Sequence, residues 1–228
     1  MKNILFAVTI LAVIIVFFVP AVRAEGRLHK RINNCAKVMD EMMLMPEKSI
    51  PKSLLRQAKA ICIFPNTVKG GFIWGGRYGQ GVMLSRDGKN GKWSNPAFFT
   101  IGEVSWGLQI GGQATDLILI IVGENSMEGL LKDNVTIGAD VSVAAGPVGR
   151  DVEVNAEILL KGGIFSYSRT KGAFAGASVQ GAIITPNNVA NRTYYGADVT
   201  TSDILIGRET VDDSSANGLK QRLEEYTK

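Results

Sequence analysis

From Gly70 to Thr185 short apolar runs alternate with glycine, and this spacing constrains the fold more than any other feature of the chain. The runs are Gly70 to Leu84, Lys92 to Ile101, Val104 to Gly111, Ala114 to Val122, Val135 to Gly146, Val152 to Thr170 and Ala173 to Thr185. Short strands joined by glycine turns predict an antiparallel sheet that curls toward a barrel or a sandwich. Glycine inside such strands lets them bend, bulge or approach another backbone closely. The runs share composition but no fixed period, so they do not form a repeat. With 46% hydrophobic and 20% charged residues in 228, the composition is that of a globular domain, and one domain is the default.

Helical periodicity flanks the sheet. Leu28, Ile32, Cys35, Ala36, Met39 and Met43 recur at steps of three and four, with Arg27, Lys30, Arg31, Asn34, Lys37 and Glu41 on the other side. This predicts an amphipathic helix ended by Pro46. Pro51 suits the first turn of a second short helix carrying Leu54, Leu55 and Ala58 inward. Ala60 to Phe64 reads as a strand buried on both faces and stopped by Pro65. Asn125 or Ser126 can cap a short mid-chain helix, 186–192 can form a helical turn, and Asp203 to Ile206 reads as a last strand. Asn217 is a candidate cap for a terminal helix with Leu219, Leu223 and Tyr226 on one side. The expected class is α+β and β-dominated, with N-terminal, mid-chain and C-terminal helices around a curled antiparallel sheet.

The first 24 residues read as a secretory signal peptide: Lys2, then an apolar run from Ile4 to Val19, then Pro20, with small residues at Val22 and Ala24. Removing them would lower the formal charge of +4 to about +2. Any pull on an anionic surface must then come from local clustering, at about 1 kcal/mol per cation. In an oxidising compartment Cys35 and Cys62 permit one disulfide, with two buried thiols as the alternative. A near-neutral mature chain without a long basic stripe disfavours nucleic acid.

Six segments in one order carry a resemblance: IPKSLLRQAKAICIFPN from Ile50, KGGFIWGGRYGQGVML from Lys69, WSNPAFFTIG from Trp93, GLQIGGQATDLILII from Gly107, GADVSVAAGPVGRD from Gly138 and SYSRTKGAFAGASVQGAII from Ser166. Over Ile50 to Gly207 the chain resembles the SYLF family of lipid-binding domains. The resemblance implies affinity for membranes that contain phosphatidylinositol lipids, and a relationship to fungal actin regulators that carry an SH3 domain. The expectation here is an exported, single-domain member, periplasmic or extracellular and peripheral on a membrane. Its parts would be the signal peptide 1–24, the amphipathic helix 25–48, the SYLF-like domain 49–210 and the C-terminal helix and tail 211–228.

Catalytic constellations are poorly supplied. The single histidine, His29, falls in the first helix, and no His, Cys, Asp and Glu cluster has metal-ligand spacing. Gly76, Gly79 and Gly81 have the order G-x-x-G-x-G without a βαβ unit, which suits a glycine-bent strand better than a nucleotide loop. Asp116, just before the apolar 117–122, is either catalytic or a structural acceptor for backbone N–H groups or for an arginine such as Arg77 or Arg150. The expectation is a non-enzymatic protein with no cofactor and no metal. Its candidate lipid-binding residues are the cations Lys69, Arg77, Lys92, Arg150, Arg169 and Lys171, with Lys89 as a further cation on a turn. The first helix would add apolar contact, either by lying in the membrane interface or, as more such stripes do, by packing on its own sheet. Trp74 and Trp93 suit a membrane rim or the core. An envelope scaffold for an unknown protein partner is the alternative, and a hydrolase is a further one.

Overall fold

The computed structural model describes residues 24–45, 49–71, 74–106, 113–131, 134–149, 163–170, 173–176, 179–207 and 213–228. The signal-peptide expectation, 1–24, lies outside them apart from Ala24, as do Arg150 and Lys171. Helix α1 occupies 24–43, followed by α2 (Lys52–Arg56) and four long strands: β1 (Ala60–Gly71), β2 (Trp74–Ser85), β3 (Ala97–Trp106) and β4 (Gln113–Ile121). Then come α3 (Glu124–Leu130), β5 (Val135–Thr136), β6 (Val143–Ala145), β7 (Ile164–Thr170), β8 (Ala173–Gly176) and β9 (Ile183–Pro186). The chain closes with α4 (Asn188–Tyr195), α5 (Thr201–Leu205) and α6 (Ser214–Tyr226). The strands form one curled sheet in the order β5-β9-β3-β2-β1-β4-β7-β6, with β8 also on β7. All pairs are antiparallel except β6 with β7.

Alternation along the strands builds two cores. Ile61, Ile63, Val82, Leu84, Phe98, Ile118 and Ile120 face α1, the α2 pair Leu54 and Leu55, and Leu219 and Leu223 of α6. Their strand neighbours Cys62, Phe64, Met83, Phe99, Leu117 and Leu119 face Leu130 of α3 and Ile204 and Leu205 of α5. The stripe of α1 packs on the sheet, with Ile32, Cys35, Met39 and Met42 fully buried. Cys35 belongs to the first core and Cys62 to the second, so the sheet lies between two free thiols. Burial pushes both thiols upward, and a disulfide between them has no geometric basis.

Four local expectations are corrected. Pro65 does not stop the first strand, because β1 runs through it as a bulge, where a residue without an N–H is tolerated. The run from Gly70 to Leu84 is divided between β1 and β2, which pair as antiparallel neighbours. Asp203 to Ile206 falls in helix α5 and its end: Thr200 and Asp203 form a reciprocal capping box, a local signal that outweighs the β-branched Ile204 and Ile206. The terminal helix is capped by Asp213, whose side chain accepts from the Ala216 N–H at 2.9 Å, and not by Asn217.

Asp213 also lies 3.0 Å from His29 Nδ1, which ties the start of α6 to α1. Burial works to raise this carboxyl, but the neighbouring Tyr194 hydroxyl, the helix-cap bonds and His29 outweigh that and hold it below the ordinary carboxylate range. A folded value below the unfolded one adds stability above about pH 4, and this is lost as pH falls through the folded value. Urea unfolding between pH 7 and 2 should show Asp213→Asn losing part of the acid-side slope of the parent protein while keeping the cap.

Candidate functional site

The bulge in β1 organises the site. Residues 64–67 of β1 lie opposite 79–81 of β2, and the register with β4 shifts between Phe64 and Thr67. Asn66 takes φ of +50°, the left-handed region in which asparagine is tolerated best after glycine. Its N–H, turned out of the ladder, donates to Asp116 Oδ1 at 2.9 Å. Asp116 Oδ2 accepts from Arg169 Nε at 3.1 Å and from Nη2 at 2.5 Å, and Arg169 also bonds Glu41 of α1. Asp116 is thus the structural acceptor, with Arg169 as its arginine. Burial alone would lower Arg169, but the bonds to both carboxylates outweigh it and raise the guanidinium. One chain of contacts therefore locks the bulge to β7 and β7 to α1.

Between the N-terminal half of α1 and this bulge lies a groove of about 380 Å³. Arg27, Lys30, Arg31 and Asn34 come from α1, Pro65 and Asn66 from the bulge, and Tyr78 and Gln80 from β2; none of the described lining residues is acidic. Arg31 stands over the Phe98 ring with its guanidinium carbon 5.6 Å from the centroid, and Nη2 donates to Gln80 Oε1 at 2.5 Å. Its Nη1 is cut off from solvent and has no hydrogen-bond partner among the described residues. Burial pulls this guanidinium below its usual value, the response of a cation whose lost hydration is not replaced by an anion.

The cations expected from the sequence are placed differently. Lys69 lies directly opposite Arg77 in the β1–β2 register, and Arg77 Nε pairs with Glu103 Oε2 at 3.5 Å, both side chains 13% exposed. Because Tyr78 and Gln80 point toward α1, Arg77 points to the other face. Lys92 is exposed on the β2–β3 connection, roughly 25 Å along β2 from Arg77 at ~3.3 Å per residue. Arg169 is committed to Asp116 and Glu41. The fold thus joins Lys69 with Arg77 but sets Lys92 at the far end. Trp93 is buried, with Arg86 over its ring. The groove draws its cations from the polar flank of α1, where Arg27, Lys30, Arg31 and Asn34 sit at steps of three and four; that spacing was the available signal.

Gly79 and Gly81 line β2 beneath the bulge and form no phosphate loop. A Cβ on Gly81 would overlap the Ile63 carbonyl oxygen and come within 2.7 Å of Phe64 Cδ1. Among the described residues no group of three His, Cys, Asp or Glu is placed to hold a metal ion, and no helix is long and apolar enough to cross a membrane.

The fold is thus a curled sheet with helices on both faces and a cationic groove beside a strand bulge. Residues 102–226 match the family described as Ysc84, Las17-binding protein actin regulator, and the chain belongs to this family, the SYLF family. The chain is 33% identical over 208 residues to the human SH3 domain-containing YSC84-like protein 1, covering 89% of this chain and 60% of that protein. It is 37% identical over 168 residues to Protein YSC84 of Saccharomyces cerevisiae, covering 72% of this chain and 36% of that one. An SH3 domain-containing protein of Schizosaccharomyces pombe is 35% identical over 165 residues, 71% of this chain and 38% of the relative. The chain thus spans less than two thirds of the length of these curated relatives, from 36% to 60%.

Proposed function

We propose that this SYLF domain is exported and binds anionic lipid at a membrane surface, without catalysing a reaction. The observation that carries the reading is the groove between α1 and the β1 bulge, whose described lining holds three cations, Arg27, Lys30 and Arg31, and no acid. Cations gathered without an acid among them repel one another, and phosphate oxygens entering the groove would accept charge-assisted hydrogen bonds from its accessible donors. The apolar side of α1 is occupied by the sheet, so the helix offers its cationic flank to the lipid.

Co-sedimentation of the mature chain with vesicles tests the reading. Binding to vesicles rich in an anionic phospholipid is expected at low salt, with marked weakening at high salt and little binding to zwitterionic vesicles. Equal absence of binding to both rejects it. Export carries its own expectation: protein recovered outside the cytoplasm should begin at Glu25 by N-terminal sequencing.

A protein partner is the second reading, favoured by the description of the family as Las17-binding. Capture of a partner that survives charge reversal at Arg27 and Lys30, with vesicle binding absent throughout, would favour it.

A further inference from the structure

The face of the sheet that carries α1 is not wholly covered by it. In register across the strands, Ala114 of β4 pairs with Val68 of β1, Val68 with Tyr78 of β2, Tyr78 with Gly102 of β3, and Gly102 with Ile183 of β9. These five positions form one cross-strand row on one face. Ala114 is exposed, and Val68, Tyr78 and Ile183 are 57%, 57% and 45% exposed. A single exposed apolar residue means little, but a continuous row of them across a sheet marks a surface that something apolar covers. At its middle, Gly102 leaves open space where a side chain would stand. A notch of about 310 Å³ here is lined by Tyr78, Gly102 and Ile183, with Thr100, Thr185 and the paired Arg77 and Glu103 also contributing to it. Tyr78 and Val68 also line the cationic groove, so groove and row are continuous.

We infer that this row is the part of the domain that enters the hydrocarbon boundary of a membrane while the groove holds a head group; the inference rests on the lipid reading above. Charge complementarity selects this occupant. Arg27, Lys30 and Arg31 rim the row on the α1 side, and an anionic bilayer presents acidic oxygens above apolar chains in the same order. A second copy docked by two-fold symmetry would bring that cationic rim toward its own equivalent. Tyr78, with an apolar ring and a hydroxyl that accepts from Gln80 Nε2 at 2.8 Å, suits the level between head groups and chains. The orientation is therefore defined: the ends of β1, β2, β3 and β9 nearest the bulge face the membrane, and the β2–β3 connection points away.

Both native thiols are fully buried, so an environment-sensitive fluorophore can be attached selectively to Ile183→Cys and, as the distal control, to Lys89→Cys. With vesicles rich in an anionic phospholipid, the label at position 183 should shift to the blue and be quenched by lipids carrying a quencher on the acyl chain. The label at 89 should do neither. A second arm uses Ile183→Asp, which should weaken vesicle binding about tenfold and leave a larger fraction of the remaining binding sensitive to salt. Vesicle binding without quenching at 183, and unchanged by Ile183→Asp, would overturn the row while leaving the lipid reading intact. Absence of vesicle binding by the parent chain would overturn both. Loss of a dimer in Ile183→Asp, with vesicle binding unchanged, would assign the row to a second copy and overturn the inference.

Discussion

Gly81→Val is expected to destabilise the domain by about 3 kcal/mol or more and to lower its Tm by roughly 6–12 °C. The bulge in β1 brings the Ile63 carbonyl over the spot where a Cβ on residue 81 would sit, and the Phe64 ring closes the same space. The obstacle is largely backbone, paired on its other side with β4, so it cannot move aside as a side-chain end would. Gly102→Ala is the matched comparison, in the adjacent strand with nothing within 4 Å of the added carbon, and should change stability by no more than about 0.5 kcal/mol. Thermal and urea unfolding of both variants measure the difference. Similar losses in the two would mean that the bulge does not press on β2.

Asp116→Ala should destabilise by about 3 kcal/mol, because it orphans one backbone donor and strips a half-buried guanidinium of one of its two carboxylates. Asn66 loses the acceptor of its N–H, and Arg169 is left with Glu41 as its charged partner among the described residues. Asp116→Asn retains an oxygen for Asn66 but not the charge, and should fall between the two. Since the same contacts fix α1 against the sheet, vesicle binding should weaken in Asp116→Ala more than its remaining folded fraction accounts for. Urea unfolding followed at 25 °C, beside vesicle binding under the same conditions, separates the two effects.

The layers were legible in the sequence because they rest on periodicity. The stripe from Leu28 to Met43 and the apolar segment from Leu117 to Ile121 report burial directly, and both lie in the core. Pro65 misled because a proline normally ends a strand; here the bulge removes the need for its N–H, and the register shift that permits this is a property of three strands together. The break between β1 and β2 was hidden because glycines populate both strand ends and turns. Thr200 and Asp203 held a readable capping signal that the β-branched residues after them obscured. The site was less legible than the fold. Arg77 looked available because it follows glycines, yet its partner Glu103 comes from the next strand. Arg31 looked like one of several solvated helix cations, and only the packing of α1 over Phe98 and Gln80 buries it.

Paired charge reversals followed by vesicle binding test the central claim most directly. Arg27→Glu with Lys30→Glu alters the groove, and Lys89→Glu with Lys92→Glu makes the same change in net charge at the far end of the sheet; all four side chains are exposed, so the fold should tolerate both. At about 1 kcal/mol for each cation near an anionic surface, the groove pair should weaken binding by about 30-fold or more, and the distal pair by less than about twofold. Equal weakening by the two pairs, or no weakening by the groove pair, would contradict the assignment of lipid binding to this groove.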